Sequence, residues 1–131
     1  MDFKSVMTAF ADKYALAIDP KDGAVVLDFN AIPVSFMDAG DALVVHASLG
    51  ESGPDTDAGL FHAMLAANAA LADEGFAICQ DPETEAFAIV RAVPLETLDA
   101  ESLASLVAVL VTHATAWRQK LAEHQNMIFD S

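Results

Sequence analysis

The chain is poor in cysteine and in basic residues, and both deficits exclude classes of structure or partner. One of its 131 residues is cysteine, Cys79, so no internal disulfide can form and a reducing, cytoplasmic compartment is expected. Six residues are Lys or Arg against 20 Asp or Glu, which gives a formal net charge of −14. Between Lys21 and Arg91 there is no Lys or Arg, whereas twelve acids lie there. Such a charge distribution repels nucleic acid and anionic lipid, so neither is expected as a partner.

Long apolar runs and catalytic motifs are also missing. The longest uncharged run, residues 102–117, is interrupted by hydroxyl and imidazole side chains and is shorter than the roughly 20 apolar residues of a membrane span. No glycine-rich phosphate loop, cysteine pair or His-Glu-x-x-His occurs, and neither His62 nor His113 has a metal-ligand companion three or four residues away. The sequence therefore predicts no membrane insertion, metal, cofactor or enzymatic activity. A small enzyme with a dispersed site of acids and histidines remains the alternative from another class.

Apolar residues, in contrast, are abundant. They make up 54% of the chain, and the mean hydropathy is +0.37. We expect residues 1–131 to form a single domain, and a domain this small cannot cover so much apolar surface in one core. The surplus predicts an interface, most simply that of a homodimer. The acids would then either keep this surface soluble or steer a basic, unfolded peptide to it.

The spacing of the apolar residues predicts an α+β fold in the order helix, three strands, helix, two strands, helix, with the helices packed on a twisted antiparallel sheet. Asp2 caps the first helix, which should end near Asp19-Pro20 because the residue before proline avoids helical geometry. Asp55 or Asp57 caps the second helix, which ends at Gly75. The predicted strands are residues 25–30, 34–37, 43–49, 76–80 and 86–93, the last two forming a hairpin around the turn at residues 81–84. Pro33 places the second strand at a sheet edge or delays its start.

The last helix carries the clearest local signals. It begins at Asp99, with Leu98 and Leu103 at the two positions of a hydrophobic staple. Arg118 and Lys120 stand where the dipole at the end of a helix favours cations. The helix has one apolar stripe at helical spacing, which consists of Leu103, Leu106, Val107, Leu110, Val111, Ala114, Trp117 and Leu121.

Three packing and turn motifs, in this order and spacing, resemble those of a known family. They are Met64-Leu65-Ala66-Ala67-Asn68, then Asp81-Pro82-Glu83-Thr84, then Val93-Pro94-Leu95 continuing through the last helix to Trp117-Arg118. The chain resembles the class I type III secretion chaperones, the Tir chaperone (CesT-like) family. The resemblance implies a small acidic homodimer that binds the N-terminal segment of a secreted effector protein and keeps it non-globular and export-competent without ATP. A YbjN-like binding module with the same fold and another partner is the alternative.

The resemblance also implies two sets of site residues. The first helix and the first three strands would bind the client, with candidates Val26, Val34, Phe36, Val44 and His46. The second helix and the strand after it would form the dimer interface, with candidates Leu60, Phe61, Met64, Leu65, Phe76 and Ile78. Ala69 and Ala70 stand where the family often carries larger apolar residues. Extended segments bind other proteins by adding to sheet edges and filling apolar pockets, so this expectation is physically consistent.

Overall fold

The computed structural model describes residues 2–18, 23–51, 58–80 and 86–130. These residues form three helices and five strands in the predicted α+β order, which is thereby confirmed. The helices are α1 (Phe3–Tyr14), α2 (Ala58–Asp73) and α3 (Ala100–Asp130). The strands are β1 (Ala24–Phe29), β2 (Ile32–Asp38), β3 (Ala42–Glu51), β4 (Ala77–Gln80) and β5 (Ala86–Pro94). The predicted caps Asp55 and Asp57 and the turn at residues 81–84 lie outside the described residues.

The strands form one antiparallel sheet in the order β1-β2-β3-β5-β4, so β1 and β4 are its edges. Side chains alternate between the two faces of a sheet. On one face every second residue is buried, among them Val34, Phe36, Val45 and Ile89. Helices α1 and α3 cover this face; the ring of Phe10 in α1 lies 5.9 Å from that of Phe36. The hydrophobic core therefore lies between this face and the two helices.

Helix α1 begins as predicted but ends earlier. The Asp2 carboxylate accepts the Ser5 N–H at 2.8 Å, and this hydrogen bond lowers the pKa of Asp2. The prediction that the helix continues to Asp19-Pro20 is wrong, because Ala15 adopts a left-handed conformation with φ 55°. The N–H of Leu16 then reaches back to the carbonyl of Ala11 at 2.9 Å, as in a Schellman motif. A proline sets only the last position at which a helix can end. In α1 the C-cap at Ala15 ends the helix before that position.

Strand β2 is an internal strand, so of the two predicted alternatives the edge position is wrong, and the delayed start holds only for the pairing with β3. A two-residue turn, Asn30-Ala31, joins it to β1. Pro33 lies opposite Asp28 of β1, whereas the pairing of β2 with β3 starts one residue later, at Val34. The missing N–H of Pro33 is therefore not needed for the β2–β3 pairing.

Helix α3 begins with two reciprocal hydrogen bonds. The Ser102 N–H donates to Asp99 Oδ1 at 2.7 Å, and the Asp99 N–H donates to Ser102 Oγ at 3.2 Å. Leu98 and Leu103 are both buried, and so is every residue of the predicted stripe, which confirms it. Residues Ala100–Glu123 are long and apolar enough for a membrane span, but this buried stripe identifies α3 as a core helix.

The predicted role of Arg118 and Lys120 is wrong, because α3 continues to Asp130 and neither lies in its last turn. Instead, the Arg118 Nε donates to the carbonyl of Ser48 at 2.9 Å, next to an irregularity in β3 between Ser48 and Gly50. The Lys120 ammonium lies 4.6 Å from the centroid of the Trp117 ring. Both cations therefore pack locally.

Helix α2 lies beside the β4 edge of the sheet. The Asn68 Oδ1 accepts the Ile78 N–H at 2.6 Å, and Asn68 Nδ2 donates to the Ile78 carbonyl at 3.1 Å. One amide side chain thus takes the place of a neighbouring strand at this residue. The Phe61 ring packs edge-on against Phe87, with centroids 5.5 Å apart.

Candidate binding surfaces

A solvent-open apolar groove lies between α1, the end of β1 and α3. Its volume is about 450 Å³, and we call it the α1–α3 groove. Aromatic rings form one wall, with the centroids of Phe10 and Tyr14 5.3 Å apart. The opposite wall is α3. The groove is lined by Phe10, Tyr14, Leu16, Phe29, Asn30, Ala104, Val107, Ala108, Val111 and Thr112.

The backbone around this groove is strained. Among the described residues, only Ala15, Asn30 and Ala31 combine a side chain with a positive φ, at 55°, 52° and 66°. Asn30 lines the groove, Ala31 follows it, and Ala15 lies between the lining residues Tyr14 and Leu16. A left-handed conformation costs an alanine roughly 1–2 kcal/mol. Here it closes the C-terminus of α1 and the two-residue turn between β1 and β2, and both of these turns adjoin the groove.

The sheet face opposite the core, the open face, carries three of the five predicted client contacts. Val26, Ser35, His46, Val90 and Ala77 stand directly opposite one another and form a row across all five strands. Each remains at least partly exposed, and Val26 is 63% exposed. The neighbouring row consists of Ala24, Met37, Val44 and Ala92.

The other two predicted contacts point into the core. Val34 and Phe36 are fully buried, because strand alternation turns them away from Ser35 toward α1 and α3. Their side chains have no surface to offer a client, which corrects the choice of these two residues. The alternation in the sequence predicts which residues share a face of the sheet, but it does not predict which face the helices cover.

The six predicted dimer residues divide into core and surface. Met64, Phe76 and Ile78 are buried within this chain, and Leu60 is half-buried against the core. Phe61 is 37% and Leu65 71% exposed. Leu65 shares the outward side of α2, which we call the α2 face, with three small or polar side chains, His62, Ala66 and Ala69. Because α2 has almost no polar side, this face is apolar where a surface helix is normally polar.

The titratable groups among the described residues form no site with recognisable chemistry. In the part of the chain that the structure describes, no three His, Cys, Asp or Glu residues are placed to hold a metal ion. His113 Nε2 lies 2.9 Å from Glu74 Oε2, which links α3 to the end of α2. His46 Nδ1 is buried without a hydrogen-bond partner at the centre of the open face.

Sequence reasoning indicated the first helix as part of a client groove but named none of its residues. Phe10 and Phe29 read as ordinary core residues, and nothing local distinguishes a core aromatic from one that lines a groove. The groove arises because α1 ends at Tyr14. The sequence has no glycine or asparagine there to indicate the end of a helix. Its contribution from α3 could be found only by folding the chain.

Solved structures define the class of fold. A chain of the HopA1–SchA chaperone–effector complex superimposes with a TM-score of 0.74 at 16% identity, over 89% of this chain and 93% of that one. A chain of the ExsC–ExsE complex gives 0.71 at 21% identity, over 91% and 96%. The fold is also that of YbjN from E. coli, with a TM-score of 0.70 at 14% identity over 93% of each chain. At these identities the similarity establishes the fold of the secretion chaperones and no more.

The sequence itself establishes the family. A profile of the Tir chaperone protein (CesT) family matches residues 32–118, about two thirds of the chain. The chain therefore belongs to the Tir chaperone protein (CesT) family, as the three sequence motifs predicted. No protein of curated function matches the sequence significantly.

Proposed function

We propose that this protein is a cytoplasmic, homodimeric chaperone that binds the N-proximal segment of a type III secreted effector. It keeps that segment non-globular and export-competent without ATP. The α1–α3 groove carries this proposal, since a chaperone of this family needs a place to hold apolar side chains of a client. Its volume of about 450 Å³ accommodates large side chains of an extended segment.

The β1 edge of the sheet supports an extended client. At the other edge, Asn68 occupies the outward hydrogen-bonding groups of Ile78. Among the described residues, no side chain makes such a clamp on β1 (Ala24–Phe29), whose end contributes Phe29 to the groove. A client strand can pair with this edge while its side chains reach the groove and the open face.

The charge of the protein supports a client that is locally basic. A net charge of −14 on 131 residues attracts a basic, unfolded segment and raises its rate of encounter. The same charge repels a second, acidic copy at long range. Association of two copies would therefore depend on apolar contact.

The α2 face is the proposed dimer contact. Leu65 and Phe61 are the exposed large apolar residues of α2, and they lie beside small alanines that permit close approach of another helix. A two-fold axis through this face would bury α2 against α2 of the second copy. Two client surfaces per dimer would then bind one wrapped segment more tightly than either surface alone.

A same-fold module with a partner outside secretion is the second candidate, favoured by the similarity to YbjN. Enzymatic activity is the third candidate function, and we propose that the protein lacks it. The protein encoded beside this chain's gene distinguishes these functions, because only a chaperone is expected to bind the N-terminal segment of a secreted neighbour.

The test is coexpression with the N-terminal segment of the secreted protein encoded beside this chain's gene. We expect the segment to be soluble and copurify with wild type, and Ala108→Arg to weaken binding by about 10-fold or more. Ala108 is an exposed residue that lines the groove, so an arginine there fills the groove without disturbing the core. Affinity is measured by calorimetry or fluorescence anisotropy.

Ala116→Arg is the matched control. Ala116 is an exposed alanine on the same helix but does not line the groove, so its substitution should leave the affinity unchanged. If wild type neither binds nor solubilises the segment, the chaperone function is wrong. If both variants bind like wild type, the client binds elsewhere and the groove is wrong.

A further inference from the structure

A second cavity lies on the other flank of α3, away from the α1–α3 groove. It has a volume of about 450 Å³ and lies between the last residues of β5, the turn Leu95–Thr97 and the first part of α3. Apolar side chains form about half of its walls, among them Val93, Leu106 and the 40% exposed Val109. We call it the Arg91 cavity after the one charged residue that lines it.

Arg91 is held in a defined position. Its guanidinium carbon lies 5.3 Å from the centroid of the Phe76 ring, a cation–π distance. Gly75, in a left-handed conformation with φ +83°, passes close by; a Cβ there would lie 3.1 Å from Arg91 Nε. The guanidinium is thus fixed against the α2–β4 turn and does not move freely in solvent. A fixed, half-buried guanidinium loses less freedom on binding a ligand than an exposed one.

The charge of Arg91 is not balanced within the described part of the chain. Glu74, which precedes Gly75 in the chain, has its carboxylate 2.9 Å from His113 Nε2. Among described residues 23–117, Arg91 is the one Lys or Arg, and no described carboxylate lies within ion-pair distance of it. A guanidinium has five N–H donors and remains charged at all physiological pH values. As far as the described residues show, this cation is left available to an acid from outside.

The lining of the cavity fits a carboxylate that has an apolar neighbour. Two residues with hydroxyl side chains, Thr97 and Ser105, line it together with Arg91. The Ser102 hydroxyl is turned to Asp99 Oδ1 at 2.6 Å, so it already has a partner. Carboxylates form bidentate hydrogen bonds with guanidinium, and the apolar walls cover an adjoining aliphatic side chain.

We propose that the Arg91 cavity binds an acidic side chain, together with a neighbouring apolar residue, from the polypeptide that the protein holds. This assignment rests on the proposed function only in that the partner is a polypeptide. It adds a chemical requirement that the acidic surface alone does not suggest: a client that is basic overall carries an acid next to an aliphatic residue. The acid fixes the register of the client relative to the sheet.

Two short probe peptides test the site without a client. They are N-acetyl-Leu-Glu-Leu-amide and N-acetyl-Leu-Gln-Leu-amide, titrated into the isotopically labelled full chain by NMR. We expect saturable shifts of the Arg91 Nε–H and of the methyl groups of Val93 and Val109. The glutamate peptide should bind about fivefold more tightly than the glutamine peptide, the value of one partly exposed ion pair.

Substitutions assign this preference to Arg91. Arg91→Gln should abolish the difference between the peptides, and Arg91→Lys should keep part of it. Ser105→Glu places a like charge at the cavity wall without touching the Phe76 contact, so it should weaken the glutamate peptide selectively. Lys120→Gln is the control, since Lys120 is also a cation over an aromatic ring, that of Trp117, but lies outside the cavity.

Equal affinity of the two peptides for wild type, or shifts confined to other surfaces, would overturn the proposal. A preference for glutamate that survives Arg91→Gln in a folded variant would place the acid elsewhere and overturn it too. Neither result bears on client binding in the α1–α3 groove, which Ala108→Arg tests. Conversely, a failure of the neighbouring secreted protein to bind leaves the peptide titration unaffected.

Discussion

Among single residues, Asn68 shows how the protein ends its sheet at β4. The amide both accepts from and donates to the backbone of Ile78, at 2.6 Å and 3.1 Å. Exposed strand edges pair readily with other chains, and proteins block them with side chains or covering elements. Asn68 blocks this edge from α2, so one residue both attaches the helix and closes the strand.

Replacing Asn68 with alanine tests this role. Asn68→Ala leaves the N–H and carbonyl of Ile78 without their partner in a partly buried place, which should lower the free energy of unfolding by about 1–3 kcal/mol. Asn68→Asp keeps an acceptor but loses the donor, and should also destabilise the protein. Urea denaturation followed by circular dichroism measures both.

Gln119→Ala is the control for the loss of an amide. The Gln119 side chain bonds to Glu123 at 3.2 Å on an exposed surface, so its removal should change stability by less than about 0.5 kcal/mol. If Asn68→Ala were as stable as Gln119→Ala, the clamp would not contribute to stability. Sequence motifs singled out Asn68 but gave no role, because only the strand order shows that β4 is an edge.

At the scale of elements, the start of α3 depends on an ionised side chain. Hydrogen bonds from the Ser102 hydroxyl and, second, from the Ser102 N–H lower the pKa of the Asp99 carboxyl. A carboxyl whose pKa is lower in the folded state stabilises the fold above its unfolded pKa, which is about 3.9. This contribution is lost as the pH falls through the folded pKa.

The variant Asp99→Ala should therefore be less stable than wild type at pH 7, and the difference should shrink as the pH falls below about 4. Urea midpoints of both proteins between pH 7 and pH 3 measure this convergence. Asp12→Ala, an exposed acid inside α1 that caps no helix, controls for the loss of a carboxylate. A constant difference between wild type and Asp99→Ala over this range would mean that the ionised form of Asp99 has no special role.

The elements differ in how far the sequence predicts them. The start of α3 was predictable, since its cap, its staple and its stripe all indicate the same helix. The end of α1 was not, because Ala15 takes a left-handed conformation for which alanine has no preference. The place of β2 was also not predictable, because a proline blocks pairing on one side of a strand only where a neighbour needs its N–H.

For the whole molecule, the excess of apolar residues appears at a few surfaces. The described large apolar residues that remain exposed are Tyr14, Val26, Met37, Phe61, Leu65 and Val109. Tyr14 lines the α1–α3 groove, Val26 and Met37 lie on the open face, and Val109 lines the Arg91 cavity. The other two lie on α2. The composition predicted that an interface exists, but the division into separate surfaces follows from the topology.

Because these surfaces are separate, the proposed dimer contact and the proposed client surface can be disrupted one at a time. Leu65→Asp places a charge on the α2 face, and desolvating that charge would prevent contact between two copies. Light scattering after size exclusion should give twice the chain mass of 13.8 kDa for wild type and the single-chain mass for Leu65→Asp. Val26→Asp is the matched control, because Val26 is similarly exposed but lies on the open face.

The Val26→Asp variant should stay dimeric and bind the client more weakly, whereas Leu65→Asp should bind the client with the affinity of a single surface. If wild type has the mass of a single chain, or if Leu65→Asp is still dimeric, α2 is not the dimer contact. The exposed Leu65 would then be available to another partner.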